Sequence, residues 1–455
     1  MFVFRFATAL VFLFTSLLAA QEKPNVILIL ADDLAIGDLS LFNDDLCETP
    51  HIDALIEDSV YFNRAYSGSP VCAPSRAALL TGRSPHRTGV VSLNQIKYPG
   101  LTRLYKDEVT LANLFQENGY ATGLVGKWHS GNGEGYHPLD RGFEHFEGFN
   151  ASVDIKTYFE YKLDLQGDYQ DFSGEYLTDS LTRRAIAYVN EHKSEPFFLH
   201  LAHYAPHRPL SAPDEMIAKY TAKGVEEKIA KVYAMVDILD KGIGELMTEL
   251  DRLKLREKTI VIFSSDNGPD PIPGERFNLD MRGMKYEVYE GGIHVPFLVN
   301  WKGTLSPAKH DEIIQFIDVF PTLMEICSIN PVPETRPLDG ASFAGLLSEK
   351  YAPVSLPEQR FWQWNRTVPM YSHNAAIREG DWKLVRPFVT RNVPQGESQE
   401  APILYHLGQD PAEDRDVGEF NPNIRDRLNA RLEEWTNEIE SDRRRNPDTP
   451  TAISE

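Results

Sequence analysis

The sequence contains only three cysteines among its 455 residues, Cys47, Cys72 and Cys327. Small exported proteins that depend on disulfides carry far more, so a disulfide scaffold is excluded. We expect Cys47 and Cys327 to be buried thiols, because free cysteine often acts as a small core residue. A bridge between these two remains an open alternative. Cys72 differs from both, because Pro74 and Arg76 follow it at a spacing that suggests a chemical role.

Positive charge is also scarce. The chain has 46 basic and 67 acidic residues, which gives a formal net charge of −21. A protein of this charge lacks the basic surface that binds phosphate backbones, so nucleic acid is excluded as a bulk partner. An anionic substrate would be repelled at long range. Any anion site must therefore be a local cluster of cations or a metal ion.

Long apolar runs are missing after the N-terminus. Residues 1–20 are predicted to be a signal peptide, since Arg5 precedes the apolar run 6–18, and Ala19 and Ala20 offer a cleavage site. The alternative is an uncleaved anchor, but the run is short for a membrane-spanning helix. We therefore expect export to the periplasm or the medium, with no integral membrane segment after cleavage.

Short unbroken apolar runs alternate with helical patterns in the first three quarters of the chain. Residues 25–30, 196–201 and 259–263 are typical of strands covered on both faces. Helical spacing is seen over 109–117 and 232–253. This alternation predicts an α/β fold with a mostly parallel central sheet flanked by helices.

The pattern changes after Asp339. Residues 382–385 and 403–406 are predicted to be strands of a small antiparallel sheet, and the turn 379–381 precedes the first of them. An amphipathic helix closes the chain, with five apolar residues on one face: Ile424, Leu428, Leu432, Trp435 and Ile439. We expect a large α/β domain over 21–340 and a smaller C-terminal subdomain over 341–455.

Two polar pairs directly follow predicted buried strands. Asp32 and Asp33 come after the first strand, and Asp266 and Asn267 after the strand at 259–263. Parallel strands end at one edge of a sheet, where α/β proteins bind ligands, so the four side chains would converge. Three carboxylates and an amide oxygen suit calcium or magnesium better than zinc. Alternatively, each pair caps a helix or forms a turn.

A helix is predicted to begin at Cys72. Pro74 suits a first helical turn, alanine and leucine follow, and Gly82 can end the helix. Cys72 would then lie where unpaired N–H groups favour an anion. Arg76, four residues on, would share its face. A structural cysteine beside a helix cap is the alternative.

The stretch Cys72-x-Pro74-x-Arg76, followed by residues 79–83, resembles the signature of the formylglycine-dependent type I sulfatases. Further segments are similar to landmarks of that family: residues 126–129, 205–209, 282–285, 289–292, 318–322 and 339–340. The resemblance implies an alkaline-phosphatase-like α/β fold with a smaller C-terminal sheet. One position departs from the family, because His294 stands where members often have arginine; it is a candidate substrate contact.

The resemblance also implies roles. A maturation enzyme would oxidise Cys72 to formylglycine, whose hydrate is the nucleophile. Ca²⁺, with Mg²⁺ as the second choice, would be held by the two polar pairs. The remaining catalytic residues of the family match Arg76 (support of the diol and metal), Lys127 and Lys285 (sulfate oxygens), His207 (proton donor to the leaving alcohol) and His129 (base at the diol).

The expected reaction is hydrolysis of a sulfate ester, with a sulfated carbohydrate as the expected substrate. A formylglycine-dependent phosphatase or phosphonate monoester hydrolase on the same fold is the main alternative. A catalytically silent glycan-binding protein and a zinc phosphatase are weaker ones, since every catalytic position is occupied and a second metal set is lacking. Trp362, Trp364 and Arg366 could contact a sugar or belong to the core.

Overall fold

A computed structural model describes residues 23–446, apart from 45, 94 and 390–397. The predicted signal peptide therefore lies outside the described residues. Within the described part of the chain, no helix combines the length and the apolar character needed to cross a membrane.

Two β-sheets organise the described residues. The larger one has eleven strands: β1 Asn25–Ala31, β2 Val60–Tyr66, β3 Ala121–Lys127, β4 His145–Phe149, β5 Ile155–Thr157, β6 Glu160–Leu165, β7 Asp168–Ser173, β8 Phe197–Ala202, β9 Thr259–Ser265, β10 Phe297–Asn300 and β11 Ala308–Gln315. The smaller one has four: β12 Gln359–Gln363, β13 Ala375–Glu379, β14 Trp382–Arg386 and β15 Ile403–His406.

The large sheet runs in the order β11-β2-β10-β9-β1-β8-β3-β4-β6-β5, and β7 pairs with β6. Its central strands β9, β1, β8, β3 and β4 are all parallel, whereas β10, β6, β5 and β7 pair antiparallel with their neighbours. Ala31 of β1 lies opposite Ser265 of β9, so these two strands end level with each other. The predicted mostly parallel α/β fold is confirmed.

Helices cover both faces of this sheet, and the last helix of the chain covers one face of the smaller sheet. Their bounds are α1 Pro50–Glu57, α2 Cys72–Thr81, α3 Pro85–Thr88, α4 Leu111–Glu117, α5 Leu177–Glu191, α6 Asp214–Thr221, α7 Glu227–Arg252, α8 Glu290–Ile293, α9 Val319–Ile326, α10 Ala344–Leu347 and α11 Pro422–Arg445. Alternate side chains of β1 point to opposite faces of the sheet and pack into two different hydrophobic cores. Ile27 and Ile29 pack with α1, α5 and α7, while Leu28 and Leu30 pack with α2, α4 and α9.

Two predicted helices begin at different residues from those expected, and capping explains both. The helix expected from 109 begins at Leu111, because the Thr110 side chain accepts a hydrogen bond from the Asn113 N–H. The helix expected from 232 begins at Glu227, where the Glu226 side chain accepts from the Lys228 N–H. The first turn of this second helix contains charged residues, so the spacing of its apolar residues did not indicate the earlier start.

The small sheet lies between α11 and the segment after Lys285. One face packs Ile377 and Leu384 against Leu428 and Leu432 of α11. The other face carries Trp362, Ala376 and Val385, which pack with Tyr66 of β2 and with Val288 and Ile293 at and just before α8. This second core joins the two sheets. All three cysteines are free and buried, so Cys47 and Cys327 do not form a bridge.

Candidate active site

Most of the predicted site residues lie at or just beyond the ends of four neighbouring parallel strands, whereas Cys72 and Arg76 lie on α2 and Lys285 lies in the loop after β9. In the order β9-β1-β8-β3, each strand ends at the same edge of the sheet. Asp266 directly follows β9, and Asp32 directly follows β1. Backbone bonds hold these ends together: the Asp266 N–H donates to the Ala31 carbonyl at 3.1 Å, and the Asp32 N–H donates to the Ala205 carbonyl at 3.1 Å.

Three carboxylates meet at this edge, and all are withdrawn from water. Asp32, Asp33 and Asp266 are each 0–1% exposed. The Asn267 amide donates from Nδ2 to Asp33 Oδ1 at 2.7 Å, which joins the fourth predicted ligand to the group. Burial, followed by the negative charge of Asp32, raises the pKa of Asp266 to about 7.

Three cations surround the carboxylates. The Arg76 guanidinium donates from Nε to Asp266 Oδ2 at 2.9 Å, and its Nη2 lies 3.3 Å from Asp32 Oδ2. Lys127 Nζ donates to Asp32 Oδ2 at 2.5 Å, and Lys285 Nζ donates to Asp33 Oδ1 at 2.6 Å. The formal charges of these six groups cancel.

Burial alone would raise the pKa of Asp32, but Lys127, His207 and Arg76 reverse this and hold it well below its usual range. Burial alone would also lower the pKa of the Lys285 ammonium, and Asp33 instead keeps it well above the ordinary value. Lys285 is therefore charged at neutral pH although it is buried.

Cys72 is the first residue of α2, as the motif predicts. The preceding Val71 is extended, and Gly82 ends the helix at a φ of 68°, a conformation that glycine adopts without steric cost. Cys72 Sγ and one carboxylate oxygen each of Asp32 and Asp266 all lie within 4.8 Å of one another. Burial raises the pKa of the Cys72 thiol, so the unmodified side chain is protonated at neutral pH.

The two predicted histidines flank this cluster. His129 follows β3 with a φ of 55°, its N–H donates to the Asn150 carbonyl at 2.8 Å, and its Nε2 lies 3.3 Å from the Leu93 carbonyl. Burial and Lys127 place the pKa of His129 well below the usual value. Just before it, Gly126 allows β3 to approach β8, since a Cβ there would lie 2.0 Å from the Ala202 carbonyl.

His207 lies beyond β8. Its Nδ1 is 2.6 Å from the Arg208 carbonyl, a contact that requires a proton on Nδ1. Its Nε2 is 3.7 Å from Asp33 Oδ2. Burial, and next the charge of Lys285, lower the pKa of His207 to about 3, so the ring is neutral while no further anion is bound.

A cavity of 310 Å³ opens onto these groups. It is lined by Cys72, Lys127, His129, His207 and Lys285, by Arg208 and Pro209 of the predicted 205–209 motif, and by residues that were not predicted as site residues: Leu93, Ser152, Ile155, Lys156, Tyr204 and Tyr286. The ring centroid of Tyr204 lies 5.4 Å from Lys127 Nζ and 4.6 Å from that of His207. Tyr204 could have been predicted as a site residue because it directly precedes the 205–209 motif, whereas no sequence feature marked Lys156.

Of the sequence-based interpretations of substrate contacts, the structure contradicts the one for His294, whereas for Trp362 and Trp364 it confirms core packing over a sugar contact. His294 is not part of the cavity wall; it stacks on Tyr66 and its Nε2 contacts the Asn63 carbonyl at 2.8 Å. Trp362 and Trp364 are each 1% exposed and belong to the core, with Trp362 donating to the Ser67 carbonyl at 2.9 Å. The aromatic cluster therefore fills space between the sheets and is not a sugar platform.

The four predicted metal ligands fit a hard divalent cation. Asp32 Oδ1 and Asn267 Oδ1 are buried and have no hydrogen-bond partner among the described residues, although such atoms are rarely left unpaired. Asp33 and Asp266 add carboxylate oxygens beside them. A donor set made of oxygen atoms suits Ca²⁺ or Mg²⁺, and a bound cation would satisfy both unpaired oxygens.

Comparison with known proteins agrees with this geometry. A family model described as sulfatase matches residues 24–329, and a second, described as the C-terminal part of N-sulphoglucosamine sulphohydrolase, matches residues 274–439. An N-acetylgalactosamine-6-O-sulfatase of Bacteroides thetaiotaomicron is 30% identical, over 91% of this chain and 93% of its own. An arylsulfatase of Hemicentrotus pulcherrimus is 31% identical, over 87% of this chain and 72% of its own.

Solved structures extend the likeness. The crystal structure of Ps i-CgsB is 29% identical and superimposes with a TM-score of 0.78, over 91% of this chain and 93% of that one. The fold and the matched family define a sulfuric ester hydrolase of the alkaline-phosphatase-like superfamily. The chain belongs to the type I sulfatase family within it.

The carboxylate cluster predicts that a divalent cation stabilises the folded protein. A ligand at about 100 times its Kd adds about 2.7 kcal/mol to the free energy of unfolding, so Ca²⁺ should raise Tm relative to chelated protein. Asp266→Ala should abolish this rise. Asp318→Asn is a matched control, because Asp318 is a buried, arginine-paired carboxylate outside the cluster and its loss should leave the rise intact. An unchanged Ca²⁺ response in Asp266→Ala would contradict the metal assignment.

Proposed function

We propose that this chain is an exported, calcium-dependent sulfatase that hydrolyses sulfate esters of a carbohydrate, with formylglycine at position 72 as the source of its nucleophile. The observation that carries this proposal is the position of Cys72. It lies at the start of α2, beside two carboxylates of the cluster and in one cavity with Lys127 and Lys285. Residues 1–20 would direct export, and a formylglycine-generating enzyme would be the maturation partner.

The state of the thiol supports a modified residue. A buried, protonated thiol is a poor nucleophile, and Cys72 has a raised pKa. Formylglycine supplies a hydrated aldehyde, whose second hydroxyl lets sulfate leave after the first displacement and so divides the reaction into two easier steps. A simple alcohol would stop at a stable sulfate ester.

Asp32, Asp33, Asp266 and Asn267 would hold Ca²⁺, with Mg²⁺ as the second choice. A bound divalent cation supplies positive charge that polarises sulfate oxygens and favours the deprotonated hydroxyl. Arg76, which contacts both Asp32 and Asp266, would keep these carboxylates in place and support the hydrated residue 72 from the same helix.

Lys127 and Lys285 would bind the sulfate oxygens. Both side chains are 1–2% exposed, and both line the cavity that contains Cys72. Charges already fixed in a site that excludes water stabilise a transition state without the cost of reorienting solvent. Their partners Asp32 and Asp33 hold them there before the substrate binds.

His207 would donate the proton to the leaving alcohol. Because Nδ1 is committed to the Arg208 carbonyl, Nε2 is the ring atom left to exchange a proton in the cavity. A bound sulfate ester brings negative charge next to the ring and raises its pKa towards the range that a general acid requires. His129, which lines the same cavity, would act as the base at residue 72.

The relatives support a carbohydrate as the substrate. One is named for action on N-acetylgalactosamine-6-O-sulfate, and Ps i-CgsB was crystallised with k-i-k-neocarrahexaose. The alternative of a phosphatase or phosphonate monoester hydrolase is tested by kcat/KM of the matured protein on matched pairs of sulfate and phosphate esters. We expect the sulfates to be preferred by at least about tenfold, or about 1.4 kcal/mol. Preference for the phosphates would overturn the proposal, and turnover of neither would favour a glycan-binding protein.

Substitutions of His207 and Lys127 should separate proton donation from sulfate binding. A sugar alcohol is a poor leaving group and needs the proton, whereas an activated phenol leaves as an anion. His207→Ala should therefore lower kcat/KM on a sugar sulfate by about 10²–10⁴-fold and on para-nitrophenyl sulfate far less. Lys127→Ala should lower both, since it removes a contact to the transferred group. Equal losses in His207→Ala would move the acid role to another residue, His129 first.

A further inference from the structure

A second cavity adjoins the active-site cavity and is the larger of the two. It has a volume of 480 Å³, against 310 Å³ for the cavity that contains Cys72. Leu93 and Ser152 line both, so the two cavities meet along one wall. A volume of this size lies within the range of small-molecule sites.

The shared wall is bonded directly to a proposed catalytic residue. The Asn150 carbonyl accepts from the His129 N–H at 2.8 Å, and the Leu93 carbonyl lies 3.3 Å from His129 Nε2. Asn150 and Leu93 both line the second cavity. A molecule bound there would therefore lie on the His129 side of the sulfate-binding residues.

The lining suits a hydroxylated ligand with apolar faces. The Gln95 and Asn150 amides form a pair, with Asn150 Nδ2 donating to Gln95 Oε1 at 2.5 Å, and Asn132 and Asp154 add further polar atoms. Ile96 and Val153 are 82% and 69% exposed, which is unusual for large apolar side chains. Amides bond hydroxyl groups, while the two aliphatic side chains cover C–H surface.

Arg103 adds a positive charge to this wall. Its guanidinium lies 4.6 Å from the ring centroid of Tyr136, and among the described residues it has no hydrogen bond or ion pair. A stacked arginine is held in place and keeps its planar donors available for a carboxylate or sulfate group. In a chain with a net charge of −21, such a group marks a local anion contact.

We propose that the second cavity binds an anionic sugar unit linked to the sulfated one, with Arg103 contacting its carboxylate group and Ile96 and Val153 its ring. This rests on the proposed sulfatase function and deepens it: the substrate is a glycan chain, and a free sulfated monosaccharide fills only the active-site cavity. The sugar on the Arg103 side is bound without being changed.

The test is binding of defined sugars to the full-length chain carrying Cys72→Ala, which cannot turn the sugars over. The probes are N-acetylgalactosamine-6-O-sulfate, a hexasaccharide of the same unit alternating with hexuronate, and that hexasaccharide with its carboxyl groups reduced. Calorimetry should give a Kd for the native hexasaccharide at least about tenfold below that of the monosaccharide. Adding Arg103→Ala should raise the hexasaccharide Kd about tenfold, and the Kd of the carboxyl-reduced probe less than about twofold.

Two matched substitutions serve as controls. Arg444→Ala removes an exposed arginine of α11, and Ile272→Ser, the counterpart of Ile96→Ser, removes an exposed isoleucine outside the cavity. Both should leave every Kd unchanged, whereas Ile96→Ser should raise the Kd of both hexasaccharides. Equal Kd values for monosaccharide and hexasaccharide, or an Arg103→Ala effect that persists after carboxyl reduction, would overturn the subsite. Loss of the parent function is detected separately, as absent turnover of para-nitrophenyl sulfate by matured protein with Cys72 intact.

Discussion

The structure depends most on the pairing of three buried carboxylates, Asp32, Asp33 and Asp266, with positive charges. Removing such charges from water is costly, and leaving one without its partner costs about 3–5 kcal/mol. Each is met by a cation from another part of the chain: Arg76 from α2, and Lys127 and Lys285 from β3 and the loop after β9. The ion pairs thus bring α2, which begins at Cys72, and both lysines to one edge of the sheet. Their near neutrality also explains why an acidic protein can accept an anion here.

The small sheet contributes by holding the segment that contains Lys285. Asn374, just before β13, donates from Nδ2 to the Tyr286 carbonyl at 2.7 Å and accepts from the Val288 N–H at 3.1 Å. Four residues after Tyr286, Glu290 accepts from the buried Lys383 of β14 at 2.8 Å. Lys285 is therefore positioned from both sides, by Asp33 within the cluster and by the small sheet behind it. The C-terminal part of the chain stabilises the candidate active site, although none of the side chains that the structure describes there lines the cavity.

Features governed by local patterns could be read from the sequence. Unbroken apolar runs located β1 and β9, and the polar pairs after them met as expected because parallel neighbours end together. Features that depend on packing between distant segments could not. The sequence alone could not locate the core that Trp362 fills between the sheets, and His294, a candidate substrate contact, stacks on Tyr66 instead. The second cavity is formed by Leu93 and by residues from segments 95–103, 131–132 and 150–154, and no local pattern brings them together.

Whether residue 72 is modified is the point on which the proposed chemistry depends most directly. The measurement is peptide mass spectrometry of residue 72 in preparations that differ in their degree of maturation, with turnover of a sulfate ester recorded for each. We predict an aldehyde or its hydrate at this position, and activity that rises in proportion to its fraction and vanishes without it. Full activity in protein whose Cys72 is entirely unmodified would contradict the proposed mechanism.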